Sequence, residues 1–348
     1  MPDSPRILVI RRRDLGDVVL LGSLFGSLRA HWPQAHIEAL VEPAYAPILA
    51  LNPDVNGVTT LPRGLGAWPG FIRLLRAKGF THVLDIDNTE KTALAARLCG
   101  AAVRVGLHHG KHPFRLRALY TDAVHGPQPE HDAEPITEYY LKALGPLGVP
   151  VASRRVRLVP REAEVARWRS RLVSQSRSLL VHPGSRSPWR MWPSDRFAAV
   201  CDRVQDELGV QVILVGGPAE HREIAAIRRL AKTHLLVQDP APSLTEFAAL
   251  AAACSAFLCH DSGPMHIAAA VGTPVVALYG SQNPVLFRPH GEGHTLLVPP
   301  MPCTCCTTPA ACVAADSYHN HCVRYHAVDQ VFAAVKACLA RPRPETAP

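Results

Sequence analysis

The sequence predicts an α/β protein in two halves, each a parallel sheet covered by helices. Three observations predict it. Short apolar runs alternate with segments of helical period, the alternation restarts near residue 178, and 348 residues exceed one ordinary core, which suits two domains of about 150–170 residues. With 47% hydrophobic and 19% charged residues the chain is globular, not disordered.

The elements follow in order. "RILVI" (6–10) is a short apolar strand, and after the turn "RRRDLGD" the stretch "VVLLGSLFGSLRAHW" has Leu20, Leu24 and Leu28 on one helical stripe. "HIEALV" (36–41), "THVLDID" (81–87) and "VRVGL" (103–107) read as strands, with the helical "WPGFIRLLRAKG" between the first two. The second half opens on "SLLVHPG" (178–184), a strand into a glycine turn. A helix over 194–209 follows, with Ser194 as its N-cap and Gly209 as its stop. "VQVILVGG" is a buried strand, "EHREIAAIRRLAK" a helix, and 243–254 a helix opened by a Ser243–Glu246 capping box. "AFLCH", a small-residue helix and "VVALYG" complete the sheet. The expected boundaries are an N-terminal domain over 1–160, a polar, basic and partly helical linker over 161–177, and a C-terminal domain over 178–340.

A net charge of +8 and a pI near 9.1 favour an anionic partner: a nucleotide, a phosphorylated glycan, nucleic acid or an anionic membrane face. Solubility alone explains the charge equally well. The N-terminus carries Asp3 and only four consecutive apolar residues, too few for a signal peptide, and no run reaches the ~18 apolar residues of a spanning helix. A cytoplasmic location is expected, with peripheral contact at the cytoplasmic face of the inner membrane. Ten cysteines in such a protein read as thiols or metal ligands rather than disulfides.

Ligands of open α/β sheets bind beyond the carboxyl ends of the strands, and the informative loops fall there. "HDSGP" (260–264) follows a strand and opens a helix whose leading amides and dipole suit a phosphate. Gly263 permits close approach, Ser262 can cap the helix or donate its hydroxyl, and His266 lies in the first turn. The plain alternative is a well-capped core helix. "GSRSPWRMWP" (184–193) offers Ser185, Arg186, Ser187 and Arg190 beside another strand end, where a guanidinium makes paired bonds to phosphate oxygens. In "GGPAEHRE", Glu220 can accept from ribose hydroxyls or simply stabilise a first helical turn. No G-x-G-x-x-G and no G-x-x-x-x-G-K-[ST] occurs, which argues against a nicotinamide dehydrogenase and a P-loop nucleotidase.

In the first half, Asp17 of "RRRDLGDVV" sits where an N-cap would, or serves as a general base. The arginines 11–13 and Lys91 of "DNTEKT" are candidate contacts for an anionic acceptor, Arg13 and Lys91 foremost. "VGLHHGKHPFRLR" (105–117) is a basic loop facing a phosphorylated substrate, a membrane or only solvent. Cys303, Cys306, Cys312 and Cys322 offer a loose four-ligand set for structural zinc, with reduced structural thiols as the alternative.

These residues together resemble glycosyltransferase family 9, the ADP-heptose:lipopolysaccharide heptosyltransferases. The resemblance covers most of the chain. It runs from "ILVIRRRDLGDVVLLGSLFGSLRAHWPQAHIEALV" through "ITEYYLKALGPLGV" and is strongest in "LLVHPGSRSPWRMWPSDRFAAV", "VILVGGPAEHREI" and "DSGPMHIAAAVGTPVVALYG". It implies the GT-B fold, two Rossmann-like domains with parallel sheets facing across a cleft, acceptor on the first and nucleotide sugar on the second. It implies an inverting transfer of heptose from ADP-heptose to a Kdo/heptose lipopolysaccharide core, a phosphorylated glycolipid, with no cofactor required. By the same match Asp17 falls on the proposed base, and Arg190, standing where the family usually has lysine, on the donor phosphates. Glu220 falls on a nucleotide contact, Asp261 on the donor sugar, and Ser262, Gly263 and His266 on the diphosphate loop. Another nucleotide sugar or a protein acceptor is the alternative within the family. A non-catalytic nucleotide or nucleic-acid binder is the alternative outside it. Scattered basic residues and the lack of a recognised module argue against nucleic acid.

Overall fold

The computed structural model describes residues 4–109, 114, 116–127, 132–172, 177–186, 190–300 and 322–341. The chain divides into two compact units, Met1–Leu158 and Val159–Pro348.

The first unit is built on six parallel strands: β1 (Arg6–Ile10), β2 (His36–Val41), β3 (Gly57–Thr60), β4 (His82–Asp85), β5 (Val103–His109) and β6 (Asp122–Gly126), in the order β3-β2-β1-β4-β5-β6. β1 is buried from Ile7 to Ile10 because it is the central strand, paired with β2 on one side and β4 on the other. This strand order places a topological switch point between β1 and β4, where the chain runs outward in opposite senses and leaves a crevice beyond the strand ends. Helices α1 (Leu15–Leu20), α2 (Gly22–His31), α3 (Ala46–Leu49), α4 (Trp68–Ala77), α5 (Glu90–Leu98) and α6 (Ile136–Leu141) connect and cover the sheet. In α4, Phe71 and Leu75 recur one helical turn apart and enter a core with Leu8, Leu40 and Val83.

The second unit repeats the plan with β7 (Ser178–His182), β8 (Gln211–Leu214), β9 (Leu236–Val237), β10 (Ala256–His260), β11 (Val275–Leu278) and β12 (Thr295–Leu297), ordered β12-β11-β10-β7-β8-β9 and parallel throughout. Read from β9 inward this is the same order, with its switch point between β7 and β10. The helices are α7 (Glu162–Arg171), α8 (Ser194–Leu208), α9 (His221–Leu230), α10 (Leu244–Ala253), α11 (Gly263–Ala270) and α12 (Val328–Ala340). α11 is buried from Met265 to Ala270, and its three successive alanines give it the slim profile such burial needs.

Several local expectations are met. Gly209 ends α8 at φ 61°, and Ser243 and Glu246 close a reciprocal capping box on α10. Others are revised. The helix expected after residue 17 is two segments divided at Leu21, whose dihedrals stay right-handed, so the hydrogen-bond pattern breaks but the path does not turn. Asp14, at φ 69°, holds the N-cap position of α1, and Asp17 is its third residue. Pro193, not Ser194, precedes α8. Within 161–177, α7 buries Val165 and Trp168 and packs on α10 as part of the second unit. Strands β3, β6, β9 and β12 had no sequence signal: they run from two to five residues, and most of their residues are not buried.

Candidate active site

In the first unit the switch point gathers carboxylates and guanidinium groups. The Asp17 Oδ1 accepts a hydrogen bond from the Tyr140 hydroxyl at 2.6 Å, and its Oδ2 accepts from Arg11 Nη2 at 2.6 Å. Arg11 also reaches Asp87 Oδ1 at 3.3 Å, while Arg12 Nε pairs with the other Asp87 oxygen. Burial drives the Tyr140 phenol well above its ordinary value, so the hydroxyl keeps its proton and remains a donor to Asp17.

Beneath this array lies Asp85, fully buried at the end of β4. Its Oδ1 accepts from the backbone N–H groups of Asp87 (3.0 Å) and Asn88 (2.9 Å), and its Oδ2 from the Tyr120 hydroxyl (2.7 Å). Burial pushes the Asp85 carboxyl up to about 6 against those favourable bonds. Asn88 takes the left-handed conformation at φ 42°, which lets the chain turn back over Asp85 and present Asp87 to both arginines.

A cavity of about 290 Å³ opens in the same unit, with Arg12, Glu42, Arg63, Leu65, Trp68 and Lys91 among its walls. Lys91, expected to contact an acceptor, lines it. Arg13, expected with it, is largely exposed and faces Glu42 at 3.7 Å, while its neighbour Arg12 supplies a cavity wall.

In the second unit the switch point holds the loop after β7 against the loop after β10. The Arg190 Nη2 bonds the Asp261 carboxylate at 2.5 Å and the Asp261 carbonyl at 2.9 Å. His260 ties both ends of the Arg190 loop: its Nε2 accepts from the Trp192 backbone N–H at 2.7 Å, and its Nδ1 lies 3.1 Å from the Gly184 carbonyl. Because a backbone amide can only donate, the ring proton sits on Nδ1. Burial pulls His260 down to about 3, so the bracket is neutral.

Glu220 folds back over the glycine turns. A Cβ placed on Gly184 would collide with the Glu220 side chain, and the Gly217 N–H donates to Glu220 Oε2 at 2.7 Å. The Ser185 hydroxyl is buried and meets no hydrogen-bond partner among the described residues, and neither does His182 Nδ1. Ser262 stands at the N-cap position of α11, but its hydroxyl turns back to the His260 carbonyl at 3.3 Å and does not cap the helix; Pro264 carries no N–H, and the Met265 N–H donates to the Ser262 carbonyl at 3.1 Å. Gly263 is the first residue of that helix and His266 is buried on its first turn. Ser187, Cys303, Cys306 and Cys312 lie outside the described residues. Cys322 is buried.

The structure thus brings together Ser185, Arg190, Glu220, Asp261, Ser262 and Gly263 around one strand-end crevice, and surrounds Asp17 with partners that sequence reading did not assign. Tyr140 lies 123 residues from Asp17 and Asp87 lies 76 from Arg11, distances over which no periodicity speaks. His260 belongs to the strand-end segment "HDSGP", but nothing local marks a histidine as a bracket between two backbone groups.

A family model described as glycosyltransferase family 9 (heptosyltransferase) matches residues 69–313. Lipopolysaccharide heptosyltransferase 3 of Escherichia coli is 27% identical over 79% of this chain and 83% of that protein. Lipopolysaccharide heptosyltransferase 2 of E. coli strain K12 is 28% identical over 82% of this chain and 85% of that protein. The solved structure of the E. coli ADP-heptose lps heptosyltransferase II superposes with a TM-score of 0.78 at 25% identity, covering 96% of this chain and 98% of that one.

Proposed function

Since the chain belongs to glycosyltransferase family 9, the heptosyltransferases, it is a glycosyltransferase, and we propose that it transfers heptose from ADP-heptose to a Kdo/heptose lipopolysaccharide core with inversion at the anomeric carbon. The observation that carries this reading is the Asp17 carboxylate, held from both sides by Arg11 and Tyr140 at a strand-end crevice. Each carboxylate oxygen keeps a second lone pair, so the clamp orients the group and leaves it a position at which to meet the acceptor hydroxyl.

Asp17 takes the proton of the acceptor hydroxyl as that oxygen forms its bond to the anomeric carbon. The bond from the anomeric carbon to the β-phosphate oxygen breaks on the opposite face, and its electron pair leaves with ADP. Arg190 and the positive end of the α11 dipole, with the Gly263 N–H at its tip, meet the charge that develops there. Asp261, which pairs with Arg190, lies beside the donor sugar. Arg12, Arg63 and Lys91 give the cavity of the first unit a positive wall for the phosphates of a glycolipid acceptor. ADP-heptose and the lipopolysaccharide core appear in the names of the relatives, and their chemistry fits these two sites.

Among the described residues no helix is long and apolar enough to cross a membrane. A lipid-anchored acceptor then calls for peripheral contact, and we place the chain at the cytoplasmic face of the inner membrane, with no nucleic acid partner. No cofactor enters the reaction as proposed. A structural zinc on Cys303, Cys306, Cys312 and Cys322 belongs to the proposal, and elemental analysis showing less than one zinc per chain removes it.

The deciding experiment incubates the purified chain with ADP-heptose and truncated core acceptors, and reads the product by mass and anomeric configuration. A heptosylated core of inverted configuration is expected. Retained configuration removes Asp17 as the base. A larger rise in melting temperature with another nucleotide sugar than with ADP-heptose reassigns the donor.

A further inference from the structure

The geometry points to a membrane-docking face on the first unit: the outer side of α4 and α5, with the flanking turns Leu65–Ala67 and Arg117–Leu119, seats the chain on an anionic phospholipid bilayer. This rests on the lipid-anchored acceptor proposed above and deepens it by assigning the surface.

The four elements are neighbours: α4 packs against the 65–67 turn and against α5, and α5 against the 117–119 turn. The inner faces of both helices are spent on the core, through Phe71 and Leu75 in α4 and Thr92, Ala93, Ala95 and Ala96 in α5. The outer faces carry large apolar side chains that are exposed among the described residues. Leu65 is 82% exposed, and Leu74, Leu94, Leu98 and Leu116 are exposed as well. Lys91, Leu94 and Leu98 recur at i, i+3 and i+7, so they form one outward stripe along α5. That stripe begins at Lys91 and the 65–67 turn contributes Leu65, both walls of the cavity, so the leucines continue outward from the pocket proposed for the acceptor.

Charge chooses the occupant. Arg63, Arg73, Arg76, Lys91, Arg97 and Arg117 are exposed on this face, and among the described residues Glu90 is the one exposed carboxylate on it. None of the six cations forms an ion pair with a carboxylate of the described residues. Arg76 donates to the Leu98 carbonyl at 2.8 Å, which closes the ends of the two helices into one surface. Leucines set among unpaired arginines match a surface that is apolar below and anionic at its boundary, the arrangement of a bilayer with acidic headgroups. A second copy of the chain is the poorer fit, because the same cations would face one another.

The test is sedimentation of the full chain with vesicles of phosphatidylcholine alone or mixed with phosphatidylglycerol, at low and high salt. The wild type is expected to bind the anionic vesicles, spare the neutral ones and release in high salt. Arg73→Gln with Arg97→Gln should weaken partitioning about 25-fold, at about fivefold per cation. Leu94→Ser with Leu98→Ser should weaken it at constant charge. Arg228→Gln with Arg229→Gln, exposed on α9 of the second unit, should leave it unchanged. Failure of the wild type to bind anionic vesicles overturns the proposal. So does an equal loss in the α9 variant, or capture of a single-stranded RNA homopolymer in place of vesicles. All three variants should keep wild-type transfer to a delipidated core acceptor. If the wild type itself makes no product there, the transfer reading fails and the vesicle result still stands or falls alone.

Discussion

The two units share one strand order and one kind of crevice, yet the crevices hold different chemistry. The β1/β4 switch point is acidic at its centre: Asp17, Asp85 and Asp87 are knitted together by Arg11, Arg12, Tyr120 and Tyr140. The β7/β10 switch point is held by a neutral histidine and sets two serines, a helix tip and an arginine beside Glu220 and Asp261, the latter paired with the arginine. A scaffold supplies the location, and the side chains at the strand ends decide whether it holds a base or grips an anion.

Four substitutions test that contrast. The largest effect is expected from Asp17→Asn, which keeps the clamp's shape and removes the base. Transfer should fall about a thousandfold, within the range of general-base catalysis, with ADP affinity by calorimetry unchanged. A comparable loss of ADP binding would mean that the two crevices do not divide the work as proposed. Next is Arg190→Ala, which should weaken ADP binding about tenfold to a hundredfold, as for one charged hydrogen-bonding group, without moving the pH profile. Unchanged calorimetry would take Arg190 out of the donor site.

The remaining two concern acid, and their signs oppose. His260 is held neutral with a pKa of about 3, below its unfolded value, so it adds stability above about pH 6.5 that is lost as pH falls toward 3. Between about pH 6.5 and 5 that loss is about 2 kcal/mol. His260→Gln should flatten the slope, and a denaturant series that keeps the wild-type slope would count against the neutral bracket. Asp85 has the reverse sign. Its folded pKa of about 6 lies above the unfolded value, so its contribution is fully present below about pH 4 and is lost as pH rises through 6. Other carboxylates titrate in the same window, so the useful quantity is the difference between wild type and Asp85→Asn. The variant should be relatively more stable at pH 7 than at pH 4 by up to about 3 kcal/mol. A pH-independent difference would mean that Asp85 is ionised throughout.

Much of this protein was legible in one dimension. Apolar runs bounded by Gly, Asp and Pro marked the eight inner strands, because a strand buried on both faces has little choice but to be apolar along its length. The strand-end loops bearing Asp17, Arg190 and Asp261 were visible for the same reason, as polar interruptions in otherwise buried sequence. What the chain could not show along its own length is which of those side chains meet. Pairing of Ile10 with Asp85 sets β4 beside β1 and delivers Asp87 to Arg11, and pairing of His182 with Cys259 brings Gly184 within reach of His260. Period and propensity report how a segment buries itself, whereas a hydrogen bond across 123 residues, as between Tyr140 and Asp17, depends on register and packing that exist only once the sheets have formed.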